Sequence, residues 1–112
     1  MMFDFGFEEK LKSKIVKIWL YKNGFNQFSI EANRKLLKDI VQSLKDQQFY
    51  VSFHCNDQGV ASIKSLPGFD VLEVAERIAL TLENHGYIVE RYAMDRGQML
   101  SDTSPIQSFV LA

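Results

Sequence analysis

The two halves of the chain repeat one order: an apolar run, a turn centred on glycine, a second apolar run, then an amphipathic helix. In the first half, Ile15 to Tyr21 precedes Asn23-Gly24, a run from Phe25 to Ile30 and a helical pattern reaching about Gln47. Asn-Gly between apolar runs signals a hairpin, because both turn positions favour positive φ and these two residues tolerate it best. In the second half, Phe49 to Cys55 leads through Asn56-Asp57-Gln58-Gly59 into Val60 to Ser65, then a helix from about Val71 to His85. A further run, Tyr87 to Met94, follows that helix, and a short one spans Ile106 to Leu111. The order predicts ββαββαβ, with the last run as an optional eighth element.

The second helix is the better marked of the pair. Val71, Val74, Ala75, Ile78 and Leu82 recur at helical spacing and share one face. Asp70 with Glu73 matches a capping box, in which Asp70 accepts from the Glu73 amide, and Gly86 suits the left-handed position beyond the last turn. In the first helix Leu36, Leu37, Ile40, Val41 and Leu44 form the apolar stripe. Its start has two readings. Asn26 to Ala32 ends a strand, or Ser29 caps an early helical turn, which would remove the first hairpin and leave βαββαβ. In either case each helix connects strands of one sheet, so right-handed crossovers put both helices on the same face. The expected fold is α+β, a two-layer sandwich with a mainly antiparallel sheet, ferredoxin-like or a tandem ββα repeat.

At 112 residues, 46% of them apolar and 24% charged, the chain has globular composition and is expected to form one domain over residues 1–112. Residues 1–13 read as an N-terminal arm, and residues 95–112 as a polar loop with a C-terminal strand or tail. A net charge of -1 gives no global attraction to nucleic acid or anionic membrane. The single cysteine, Cys55, excludes an internal disulfide and favours a reducing compartment. The acidic, aromatic start lacks the pattern of a signal peptide, and no apolar run nears the roughly 20 residues of a membrane span. A cytoplasmic protein is the expectation.

Strand alternation then sorts the side chains. Val16, Ile18 and Leu20 point toward the helices, leaving Ile15, Lys17, Trp19 and Tyr21 on the other face. In the third strand Tyr50, Ser52 and His54 point outward, and in the fourth Ser62 and Lys64 do. The last strand is ambiguous, since Tyr87, Val89 and Arg91 alternate against Ile88, Glu90 and Tyr92. The product is a sheet face bearing Lys17, Trp19, Tyr21, Tyr50, His54 and Lys64. Three uses fit it. Trp and Tyr supply contact area at low entropic cost and are enriched in protein-binding hot spots. Bases of single-stranded nucleic acid stack on sheet aromatics while lysines hold phosphates. Alternatively the arm with Phe3, Phe5 and Phe7, the C-terminal run with Ile106, Phe109, Val110 and Leu111, or a second copy of the chain covers it.

Constellations for catalysis or metal binding are sparse. His54 and Cys55 are adjacent in a strand and so point to opposite faces, which prevents a nucleophilic dyad between them. His85 reads as a helix C-terminal cap. Two histidines and one cysteine lack ligand spacing for zinc, and Asp95, Asp102 and Glu90 meet a hard cation only if the tail folds back. No phosphate-binding or hydrolase motif occurs. The expectation is a non-enzymatic protein-binding domain, of the inhibitor, immunity or accessory type, with no metal or cofactor, acting through the aromatic face or an edge strand. A single-stranded nucleic-acid binder and a domain with a ligand pocket between helices and sheet are the rivals.

Overall fold

The computed structural model describes residues 14–22, 27–46, 51–55, 59–65 and 68–110, with residues 51–55 and 65 described by their backbone. Among these residues five strands and two α-helices follow one another as β1 (Ile15–Tyr21), β2 (Gln27–Glu31), α1 (Arg34–Asp46), β3 (Val51–Cys55), β4 (Val60–Ser65), α2 (Val71–Asn84) and β5 (Ile88–Met94). The class is α+β. Asn26-to-Ala32 helix formation, the alternative that used Ser29 as a cap, does not occur: Ser29 lies in β2, opposite Trp19 of β1 and Ser62 of β4. The ladder satisfies backbone groups on both sides of β2, which an isolated helical turn there would leave unpaired. The cap of α1 is instead Asn33, whose Oδ1 accepts from the Lys35 amide at 3.1 Å. The Asn23-Gly24 turn lies outside the described residues.

Helix α2 begins where expected, but Asp70 accepts from the Leu72 amide at 2.9 Å rather than from Glu73. The short aspartate side chain closes on the second helical amide, and this Asx-type bond satisfies the same orphan donor set that a capping box would. At the other end Gly86 has φ +91°, the left-handed conformation that ends the helix. His85 bears out its capping role, with Nδ1 2.7 Å from the Thr81 carbonyl oxygen.

The strands form one mixed sheet in the order β3-β4-β2-β1-β5. β1 with β2, β2 with β4 and β4 with β3 are antiparallel, and β1 with β5 is parallel over Ile15↔Ile88 to Tyr21↔Met94. This is not a ferredoxin-like order. That arrangement sets the first and last strands of its βαββαβ core side by side, whereas β1 here stands between β2 and β5. An added N-terminal strand can enter because its hairpin with β2 is the most local pairing available to it.

One face of the sheet carries the core. Val16, Ile18 and Leu20 of β1, Phe28 and Ile30 of β2, and Ala61 and Ile63 of β4 join Leu37, Ile40, Val41 and Leu44 of α1 and Val74, Ala75, Ile78, Ala79 and Leu82 of α2 in a single buried cluster. Leu36 packs at its margin. Helix α2 contacts β2, β4 and β5, and α1 contacts β4. Among the described residues no helix is long and apolar enough to cross a membrane. The polar loop after β5 contains a 3-10 turn at Leu100–Asp102, and the final run makes one antiparallel bridge, Arg91↔Ile106, instead of a strand.

Candidate functional site

Cross-strand register places Lys17, Trp19, Tyr21 and Lys64 on the face opposite the helices. One row runs from Ser62 through Ser29 and Trp19 to Tyr92, with His54 of β3 paired to Ser62 at its end. A second sets Lys17 between Glu31 and Glu90, and a third pairs Lys64 with Gln27. Tyr21 is paired with Met94. Lys17, Trp19, Tyr21 and Lys64 therefore share a face, as alternation predicts. Tyr50 lies outside the described residues, as does the side chain of His54.

The face is not uniformly open. Trp19 and Tyr21 pack edge to face, with ring centroids 6.0 Å apart and an interplanar angle of 83°. Tyr21 is exposed and Trp19 half-buried, while Tyr92 and Met94 beside them are buried, Met94 to 1% exposure. The indole Nε1 of Trp19 is shielded and has no hydrogen-bond partner among the described residues. An orphaned buried donor costs about 1–3 kcal/mol. Tyr92 donates its hydroxyl proton to Glu90 Oε1 at 2.8 Å. Burial first, then that bond and the charges of Glu90 and Glu31, push the phenol up to about 12. Toward β4 the face turns polar, with Gln27, Ser62 and Lys64 exposed.

The described part of the C-terminal run, as far as Val110, does not cover this face, and the N-terminal arm with Phe3, Phe5 and Phe7 lies outside the described residues. Phe109 belongs to the core cluster on the helix side, Ile106 is bridged to the outer edge of β5, and Val110 is exposed. The cause is an ion network that sequence reasoning missed. Arg91 points to the helices and makes a two-bond fork with Glu76 of α2, Nε to Oε1 at 2.8 Å and Nη2 to Oε2 at 2.9 Å, with a further bond to Glu83 at 2.8 Å. Glu76 Oε1 also accepts from the Phe109 amide at 3.0 Å, which ties the tail to α2. Burial pushes the Glu76 carboxyl up, but the bond from Arg91, the Phe109 amide and the guanidinium charge outweigh it and hold the group below its ordinary value. Hydrogen bonding to Glu83 leads the causes that raise Arg91. The sequence did carry a signal: Arg91 stands between Val89 and Ala93 at strand spacing, and Glu76 and Glu83 are spaced to share a helix face.

No group of three or more His, Cys, Asp or Glu side chains is arranged to hold a metal ion among the described residues. Asp95, Asp102 and Glu90 do not converge: Glu90 accepts a hydrogen bond from the Tyr92 hydroxyl, and Asp95 lies 3.8 Å from Lys22 Nζ. No protein-family model, curated protein or solved structure matches the chain.

Proposed function

We propose that this is a small non-enzymatic protein-binding domain that accepts an extended segment of its partner along the outer edge of β3. We read the fold as two ββα units, β1-β2-α1 and β3-β4-α2, related by a pseudo-twofold between the antiparallel strands β2 and β4, with β5 appended. The observation that carries the functional reading is the asymmetry of the two edges. Under the pseudo-twofold the outer edge of β3 is equivalent to the edge of β1, and β5 fills that second edge in parallel along its whole length. No described strand pairs with β3 on its outer side.

Natural sheets block exposed edges with proline, charge or a covering segment. The β5 edge has such a guard in the Arg91↔Ile106 bridge. Val-Ser-Phe-His-Cys in β3 contains neither proline nor an acidic, lysine or arginine residue. Strand addition to such an edge is a recurring mode of peptide recognition, with main-chain bonds supplying affinity. The adjoining polar half of the face, with Ser62 and Lys64, would set specificity. Glu31 and Glu90 flank Lys17 and offset its charge, which supports a protein partner over a nucleic acid. A reducing, cytoplasmic setting suits the single cysteine.

Co-purification from the native source, followed by amide hydrogen exchange on the complex, tests the proposal. A near-stoichiometric protein partner and slowed exchange at Val51 to Cys55, with β5 unchanged, are expected. A partner that leaves β3 exchange unaltered, or recovery of the chain alone as a monomer, overturns it.

A further inference from the structure

A cavity of about 640 Å³ lies on the helix side of the sheet, at the ends of β1 and β5. Its floor is Leu20 and Ala93, neighbours in the parallel register. Leu72 in the first turn of α2 forms one wall, and Ile106 and Phe109 of the C-terminal segment form another. The volume falls within the range of small-molecule sites, about 300–1,000 Å³. Lys22 is the one charged residue among those lining it.

Gln107 and Ser108 also line it, and two further donors suit an anionic group. The Lys22 ammonium is 3.8 Å from Asp95, both side chains are more than half exposed at 57% and 72%, and solvent screens such a surface pair so that it contributes little. A ligand carboxylate can therefore replace Asp95 at little cost. The second donor follows from strand alternation. Met94 accepts from the Lys22 amide and Ile88 donates to the Lys14 carbonyl, so the even-numbered residues of β5 bond toward β1. Arg91 accepts from the Ile106 amide on the outer side. Ala93 thus directs its N–H outward, past the isolated bridge, and no described group accepts it. We propose that this cavity binds a small apolar carboxylate, its hydrocarbon body against Leu20, Leu72 and Phe109 and its carboxylate on Lys22 and the Ala93 amide.

The test is a titration of the full chain with octanoate, 1-octanol and octylamine, followed by amide chemical shifts. Octanoate is expected to bind, to shift the Ala93 and Ile106 amides, and to bind about tenfold more tightly than 1-octanol, since a hydrogen bond to a charged group contributes about 1.5–3 kcal/mol. Lys22→Met should reduce octanoate to the level of the alcohol. Leu72→Trp should fill the cavity and abolish both while the rest of the spectrum keeps its native dispersion. Absence of octanoate binding, octylamine or 1-octanol binding as tightly, or octanoate binding unchanged in Lys22→Met overturns the proposal.

Discussion

Glu76 joins two distant segments to α2, because one buried carboxylate holds both Arg91 of β5 and the Phe109 amide of the tail. Its side chain is 10% exposed and that of Arg91 7%, so each charge depends on the other for solvation. Removing one partner of a buried pair costs about 3–5 kcal/mol, because the remaining charge is left uncompensated. With Glu83 still bonded to Arg91, Glu76→Gln should sit near the lower end, about 3 kcal/mol, in urea unfolding at neutral pH. The same group sets an acid limb. A carboxyl whose folded value is depressed contributes stability that is present above its unfolded value of about 4.3 and lost as pH falls through the lower folded value. Stability of the native protein should therefore decline below about pH 4.3, and this part of the decline should vanish in Glu76→Gln. An acid limb of equal size in the variant would assign the loss to other carboxylates.

At the scale of elements, the join between the two hairpins depends on a close approach at Gly59. Gly59 has φ +83°, its carbonyl accepts from the Ala32 amide at 3.0 Å, and a Cβ at this position would stand 2.5 Å from the Ala32 carbonyl oxygen. Backbone and space both exclude a side chain. Gly59→Ala should cost on the order of 1–3 kcal/mol, read as a lower denaturant midpoint with an unchanged slope, whereas a loss of a few tenths would mean the loop shifts freely. The boundaries of β4 and the start of α2 were readable from sequence, as were the facings of β1 and β4, because each depends on periodicity within one segment. The facing of β5 was not. Val89, Arg91 and Ala93 on one side and Glu90, Tyr92 and Met94 on the other are equally mixed, and only the carboxylates of α2 make the arginine side the inner one.

For the whole molecule, the C-terminal segment works as a strap from the outer edge of β5 to the helix layer. It is held at three points: the Ile106 amide on the Arg91 carbonyl, the Phe109 amide on Glu76, and the Phe109 ring in the core. Truncating a buried phenylalanine costs about 3–5 kcal/mol where the site cannot collapse. Phe109→Ala should therefore lower global stability by about 3 kcal/mol and speed amide exchange at Ile106. If exchange at Ile106 accelerates with global stability unchanged, the strap opens independently of the rest of the fold.

The sequence by itself determined the α+β class, the hairpin-and-helix order of the second half, and the face on which Lys17, Trp19, Tyr21 and Lys64 meet. These follow from side-chain period and turn chemistry, which act within a few residues. Only the tertiary structure decided that Ser29 belongs to a strand and not to a helix cap, that β1 lies between β2 and β5, that Tyr92 and Met94 withdraw from solvent beside Trp19, and that the tail joins the helix side. Strand neighbours are chosen among non-local pairings by competing closure and burial terms, and the tail is directed by a carboxylate 33 positions away in sequence from the amide it accepts.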